Sequence, residues 1–251
     1  MTKTMQRPPA TAAPAAAPLA ERVAVLDFTA IASDLDAYGG ATTGPLLSAQ
    51  ECTALARSYA AEECFRSRIV MARHGFGRGE YKYFAYPLPD VVAVLRRTLY
   101  PPLSEIANRW NKAIGIDRAY PSEHAAYLKS LRAAGQSQPT PLLLQYVAGD
   151  FNCLHQDIYG PHVFPLQVAF LLSRPGVDFT GGEFVLTEQR PRMQSRVEAV
   201  PLRQGEGVIF PVHYRPLEGK RGCYRVTMRH GVSRLRSGRR HTLGIIFHDA
   251  A

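Results

Sequence analysis

Asn152-Cys153-Leu154-His155-Gln156-Asp157 follows an apolar run, Pro141-Leu142-Leu143-Leu144-Gln145-Tyr146-Val147, and its reading decides the fold of the second half of the chain. Along a β-strand the side chains alternate faces, so residues two apart project the same way. His155 and Asp157 therefore offer a nitrogen and an oxygen to one point, and such a pair lacks a third donor. A histidine from a distant strand would complete a 2-His-1-carboxylate set, which holds non-heme Fe(II) on one face and leaves the other coordination positions open. His230, in Arg229-His230-Gly231-Val232, is the candidate. His213, in Phe210-Pro211-Val212-His213-Tyr214, is its rival, and no arginine-led strand follows it at a matching distance.

Ten positions after His230, Arg240 opens Arg240-His241-Thr242-Leu243-Gly244-Ile245-Ile246-Phe247, an apolar, strand-like run. On that strand Arg240 and Thr242 share a face and His241 looks away from it. An arginine turned into a core needs an anion, and a dicarboxylate would supply one through a bidentate, charge-assisted contact. A lone His-x-Asp turns up by chance in many solvated turns; the downstream arginine strand sets this one apart.

His155, Asp157, His230, Arg240 and Thr242 together resemble the site pattern of the 2-oxoglutarate, Fe(II)-dependent oxygenases. Gly181-Gly182-Glu183-Phe184 resembles the Gly-Gly-Glu turn between their inner strands, and Gly205-Glu206-Gly207-Val208-Ile209-Phe210 the strand before their second histidine. The resemblance covers roughly residues 141–248. Within the superfamily, the run from Gly149 through Asp157 to Val168, with Arg229-His230-Gly231-Val232-Ser233, is similar to a bacterial group described as oxygenases acting on alkylation-damaged DNA. The resemblance implies Fe(II) on His155, Asp157 and His230, 2-oxoglutarate as cosubstrate with Arg240 and Thr242 on its far carboxylate, O2 as oxidant, and oxidative dealkylation of nucleic-acid bases in DNA repair.

Tyr146 stands where that family often reaches the cosubstrate, so it is either a hydrogen-bond partner there or ordinary core packing. Gln167, a lone polar residue between Leu166 and Val168, either lines the cosubstrate pocket or satisfies a backbone group. Two other readings stay open: a prolyl-hydroxylase-like oxygenase acting on a protein side chain or small molecule, since the Gly-Gly-Glu turn also occurs there, and a nucleic-acid-binding module without catalysis. The full ligand set stands against the last.

With 251 residues and 46% apolar composition the chain can bury one sizeable core. A formal charge of +9 attracts anionic partners, and nucleic acid is the expected one. Arg215, Lys220, Arg221, Arg225, Arg229, Arg234, Arg236, Arg239 and Arg240 are opposed in their span only by Glu218, which predicts an electropositive rim around the metal mouth that would track a phosphate backbone. Cys52, Cys64, Cys153 and Cys223 form no Cys-x-x-Cys pair, a usage that suits a reducing cytoplasm. No segment is apolar enough to span a bilayer.

These elements predict an α+β fold: a double-stranded β-helix (jelly roll) flanked by N-terminal helices. Residues 1–20 read as an Ala/Pro-rich disordered tail and 21–251 as one oxygenase domain, with a mainly helical scaffold over 21–138 and the catalytic core over 139–251. Helices are expected at Leu26–Tyr38, after a Ser48/Glu51 capping box, at Asp90–Ile114 with a break or kink at Pro101-Pro102, and at Ser122–Ala133. Residues 73–86 interleave Arg73, Arg78 and Lys82 with Tyr81, Tyr83, Phe84 and Tyr86. They form either a lid that stacks on a base while neutralising phosphates, or an amphipathic hairpin with tyrosines inside and lysine outside.

Overall fold

A computed structural model of the protein describes residues 17–158, 160–220 and 222–251. The first half contains α1 (Leu19–Ala24), α2 (Phe28–Tyr38), β1 (Ala41–Pro45), α3 (Ala49–Ser58), β2 (Phe65–Val70), β3 (Gly77–Arg78), β4 (Glu80–Phe84), α4 (Asp90–Ala113) and α5 (His124–Ala133). The second contains β5 (Leu142–Val147), β6 (Phe151–His155), β7 (Leu166–Leu171), β8 (Phe179–Gly181), β9 (Phe184–Gln189), β10 (Arg196–Val200), β11 (Glu206–Pro211), β12 (Tyr214–Gly219), β13 (Gly222–Val232) and β14 (Leu235–Ile245). The larger sheet runs β1-β11-β7-β14-β5-β4-β2 with β8 beside β14; the smaller runs β10-β9-β13-β6-β3 with β12 beside β13. Every pairing between these strands is antiparallel, the expected jelly-roll pattern.

The larger sheet serves two cores at once. Leu143, Val168, Phe170, Leu243 and Ile245 pack outward with Leu35, Leu55, Leu99 and Tyr100 of the helices. Their neighbours Tyr146, Ala169 and Leu171 pack inward with Phe184, Leu186 and Val232 of the smaller sheet. Because the strand period is two, a one-residue slip would exchange the two sets, so register is strongly specified. The helices start where their caps dictate. The Asp27 side chain accepts from the backbone N–H groups of Thr29 and Ala30 at the head of α2, and Ser48 and Glu51 form the expected capping box on α3.

The first half differs in detail from the sequence reading. α4 is not broken at Pro101 and Pro102 but continues as one helix to Ala113. The prolines leave the Arg97 and Thr98 carbonyls without their usual donors, but Leu95, Leu99, Tyr100 and Leu103 on the flanking turns are fully buried, and that packing holds one helix together. Within residues 21–138 the hairpin expected beside the helices is formed by β2 and β4, which with β1 join the larger sheet, while β3 joins the smaller. Residues 1–16 of the expected tail lie outside the described residues, while Leu19 and Ala20 already belong to α1, with Leu19 packed in the helical core. No helix among the described residues is long and apolar enough to cross a membrane.

Buried polar groups tie the helices to the sheet. Arg96 of α4 donates from Nε to the Ile246 carbonyl, and from Nη2 to the His248 carbonyl and, at 2.7 Å, to the Asp249 carboxylate. His124, for which the sequence shows no partner, donates from Nε2 to the Phe247 carbonyl at 2.8 Å, and His248 accepts on Nδ1 from the Phe164 N–H at 3.2 Å. Burial, reinforced by the Arg96 charge, pushes both imidazoles from 6.5 down to about 4. Between those values the unfolded chain binds protons that the folded chain refuses, so stability is fully present above pH 6.5 and falls as the pH drops toward 4. The urea midpoint should therefore be lower at pH 5 than at pH 7.5, and His124→Gln, which keeps a donor for Phe247, should flatten part of that difference; an unchanged pH slope would sink this assignment.

Candidate active site

β13 and β6 lie side by side with His230 directly opposite His155, and Asp157 follows two residues after His155. The chain thus brings all three residues together. Their donor atoms lie within 4.8 Å of one another. His155 Nε2 is 3.3 Å from Asp157 Oδ1, and His230 Nε2 is 3.3 Å from Asp157 Oδ2. His155 donates from Nδ1 to the Cys153 carbonyl at 2.8 Å, which turns its Nε2 toward the cluster. Gly231 is what lets β13 approach so closely, because a Cβ there would sit 2.7 Å from the Asn152 carbonyl oxygen.

The electrostatics suit a cation. Burial alone would raise the Asp157 carboxyl, but the two imidazoles beside it outweigh burial and hold it well below the usual carboxylate range. Burial keeps His230 below its ordinary value despite Asp157, whereas at His155 the hydrogen bond and charge of Asp157 overcome burial and raise it. Gln167 Nε2 donates to Asp157 Oδ2 at 2.7 Å and fixes the turn of that carboxylate. Of the two readings of Gln167, it lines the cavity, and its amide bonds the Asp157 carboxylate and not a backbone group. Sequence alone could not show this, because it depends on how β7 lies against the loop after β6.

Arg240 is 1% exposed, and its Nη1 donates to Thr242 Oγ1 at 2.5 Å, so the shared face read from the sequence is present. Tyr146 stands opposite Arg240 across β5 and β14, with its ring centroid 5.6 Å from the guanidinium. Gly182 of the Gly-Gly-Glu turn gives the arginine stem room, since a Cβ there would lie 3.1 Å from Arg240 Cδ and 2.2 Å from Leu235 Cδ1. The other buried cations among the described residues, Arg22, Lys82, Arg96 and Arg215, pair with Glu51, Glu62, Asp249 and Glu188. Arg240 pairs with no carboxylate among the described residues, and its Nε is buried without a hydrogen-bond partner. Burial pushes its guanidinium down to about 10, so it remains charged at neutral pH. The Tyr146 hydroxyl is likewise buried without a partner, the Asn152 side chain approaching it outside hydrogen-bond geometry. An unpaired buried cation beside an orphan hydroxyl fits a small anion with oxygen acceptors, and the neighbouring donor set fits a divalent metal.

Both groups open into one cavity of about 300 Å³, whose walls include Phe76, Tyr81, Tyr83, Phe184 and Phe210. Phe210 and Phe184 flank His230, with ring centroids at 4.6 and 6.1 Å. Phe184 and Phe210 went unread as cavity walls in the sequence, although Phe184 directly follows the Gly-Gly-Glu turn. A larger hollow of about 750 Å³ lies on the opposite face of β14, against α3, and holds none of the site donors. His241 lines that hollow, so it does face away from Arg240, but under α3 and not into bulk solvent.

In keeping with the choice of His230, the rival His213 is outside the cluster; its ring packs on Tyr214 at 3.7 Å, and its carbonyl accepts from Gln156. Parts of the expected basic rim and hairpin fail for physical reasons. Arg215 is fully buried against Glu188 and cannot join a surface rim. Arg225 and Arg229 alternate with Val226, Met228 and His230, which puts them on the outer face of the smaller sheet. Arg221 lies outside the described residues. Lys82 is buried, paired with Glu62 and bonded to the Tyr59 carbonyl, so the hairpin has tyrosine on the cavity side and a paired lysine on the other.

A family model described as oxygenase, catalysing oxidative methylation of damaged DNA, matches residues 79–250. Uncharacterized proteins from two strains of Mycobacterium tuberculosis are 48% identical to the chain over 168 residues, which is 67% of this chain and 72% of theirs. Among solved structures, an oxidoreductase of the 2OG-Fe(II) oxygenase family from Burkholderia pseudomallei superposes with a TM-score of 0.53 at 15% identity, covering 89% of this chain and 92% of that one. A Trichoplax adhaerens prolyl hydroxylase, in complex with a hypoxia inducible factor oxygen degradation domain peptide fragment, gives 0.53 at 14% identity and 92% coverage of both chains. At such identities the two structures share the fold and nothing finer. The match over residues 79–250 places the chain in this oxygenase family: it is an oxygenase, an oxidoreductase, on the jelly-roll core that the solved structures share.

Proposed function

We propose that the protein removes alkyl groups oxidatively from damaged nucleic-acid bases, with Fe(II) held by His155, Asp157 and His230 and 2-oxoglutarate held by Arg240. The observation that carries the site assignment is the unpaired buried guanidinium sharing a cavity with a three-donor cluster. The family description and the charge of +9 support nucleic acid as the substrate. Four unpaired cysteines support a cytoplasmic setting.

When bound, Fe(II) with 2-oxoglutarate and O2 supplies the oxidation: the cosubstrate leaves as succinate and carbon dioxide, and one oxygen atom enters the substrate. The residues do the rest. Arg240, steadied by Thr242, neutralises the far carboxylate of 2-oxoglutarate, and the Tyr146 hydroxyl donates to that same carboxylate. Gln167 keeps Asp157 from rotating away from the two imidazoles, while Phe184 and Phe210 exclude water beside His230. Hydroxylation of an N-methyl group gives a hemiaminal, which breaks its N–C bond to release formaldehyde and return the proton to nitrogen. A base in a duplex must leave the stack to reach the cavity, at a cost that falls for damaged or single-stranded substrates.

Succinate and formaldehyde measured with methylated single-stranded DNA test the reading. Formaldehyde in step with succinate is expected, whereas succinate formed at the same rate with or without the oligonucleotide would point to a peptide or small-molecule substrate. Asp157→Ala should abolish iron-dependent turnover, and Gln167→Ala should cost about 10- to 100-fold, the usual toll of losing a partner that orients a metal ligand. Arg240→Met should leave the unliganded protein as stable as before or more so, since it removes an uncompensated buried charge. Added 2-oxoglutarate at a hundred times its Kd should stabilise the wild type by about 2.7 kcal/mol. In thermal melts that gain should vanish in Arg240→Met, and a variant that still responds would remove Arg240 from the cosubstrate site.

A further inference from the structure

Residues 73–78, Arg73-His74-Gly75-Phe76-Gly77-Arg78, meet the cavity through Phe76, form a lip there, and contain groups that the mechanism above does not use. Phe76 lines the cavity yet is 39% exposed, an unusual place for a large apolar ring. Its ring stacks on His74 with centroids 5.3 Å apart and 24° between planes, and His74 is itself exposed. Arg73 and Arg78 flank this pair, both exposed, and neither forms an ion pair among the described residues.

The lip is fastened to the ligand strand. The Phe76 carbonyl accepts from the Cys153 N–H at 2.9 Å, two residues before His155, and the Phe76 N–H donates to the Met71 carbonyl at 3.2 Å. Gly77 adopts φ +126, and a Cβ there would lie 2.4 Å from the Phe151 carbonyl oxygen, so only glycine allows this approach. The stacked pair is therefore presented at a fixed place beside the donor cluster.

We propose that this lip is a single-stranded nucleic-acid clamp: the base entering the cavity stacks on Phe76, continuing the His74–Phe76 stack, while Arg73 and Arg78 take the phosphates on either side. The proposal rests on the base-dealkylation reading and names the residues that would grip the substrate. Aromatic stacking favours an unpaired base whatever its identity, because every base has a π-face, and two unpaired guanidiniums flanking the ring match the anionic backbone of one strand. A peptide would engage both arginines only where acidic side chains fell at the right spacing, whereas every nucleotide of a strand carries a phosphate.

The test is an anisotropy titration of a labelled, methylated single-stranded oligonucleotide with the full chain, Fe(II) and 2-oxoglutarate, without oxygen. Phe76→Leu keeps an apolar side chain and removes the ring, so Kd should rise roughly 5- to 100-fold. Phe76→Tyr, which keeps the ring, should bind within about twofold of wild type. Arg73→Gln and Arg78→Gln should each reduce the slope of log K against log salt by about 0.7. Equal affinities of Phe76→Leu and wild type, or equal losses in Phe76→Leu and Phe76→Tyr, overturn the clamp. Release of formaldehyde from a methylated nucleoside by wild-type protein that binds no oligonucleotide also overturns it and leaves the dealkylation standing. Oligonucleotide binding that depends on the Phe76 ring, without formaldehyde release, supports the clamp and removes the dealkylation reading.

Discussion

The guanidinium of Arg240 is buried with no carboxylate paired to it among the described residues, the charge of Glu183 acting on it only from beyond ion-pair distance, and much of the site follows from that imbalance. Taking an ion out of water costs several kcal/mol even after relaxation, and a partner normally returns part of it. Arg22, Arg96 and Arg215 show the normal case in the same chain, each held by a carboxylate at the end of its reach. At Arg240 the close contacts offered by protein are one hydroxyl and two nearby rings, those of Tyr146 and Phe179 at 5.6 and 5.9 Å, beside the more distant charge of Glu183. A fold that keeps such a charge inside is poised for a ligand that brings the missing anion.

The strand period makes that arrangement possible. β14 must present Leu243 and Ile245 to the helices, and the same alternation then obliges Arg240 and Thr242 to face the barrel interior. Opposite them, β13 turns Val226, Met228 and His230 inward while Arg225 and Arg229 remain outside. The helical layer therefore does more than cover a surface. By anchoring the outer face of β14 it fixes the depth and direction of the arginine, and by closing on Asp249 and Phe247 through Arg96 and His124 it holds the chain just beyond that strand.

Much of this was legible in the sequence because it is local. Two-residue spacing put His155 with Asp157 and Arg240 with Thr242, and a Ser-x-x-Glu signature placed the start of α3. The unread parts depend on partners far along the chain. Lys82 looks like a surface cation until Glu62 and the Tyr59 carbonyl close over it, and Arg215 joins a basic run in sequence yet meets Glu188 in space. Gln167 could be recognised as a buried amide in need of a partner, but Asp157 becomes that partner only once the loop after β6 folds back. β1 and β3 escaped notice because they are short and glycine-bearing, so their strand character comes from the edges they pair with and not from their own composition.

The exposures along the cavity impose an order on whatever enters it. Arg240 is 1% exposed and His230 7%, whereas Phe76 at the lip is 39% exposed. A small dicarboxylate that reaches Arg240 must therefore pass the donor cluster and the aromatic walls before a larger molecule occupies the mouth. In a space of about 300 Å³, a planar ring seated against Phe76 and the tyrosines would close the route behind it. On the proposed assignment, the same geometry that leaves Arg240 without a paired carboxylate would make the cosubstrate part of the floor on which the substrate rests, and would couple the two sites through one shared volume without requiring any change in the fold.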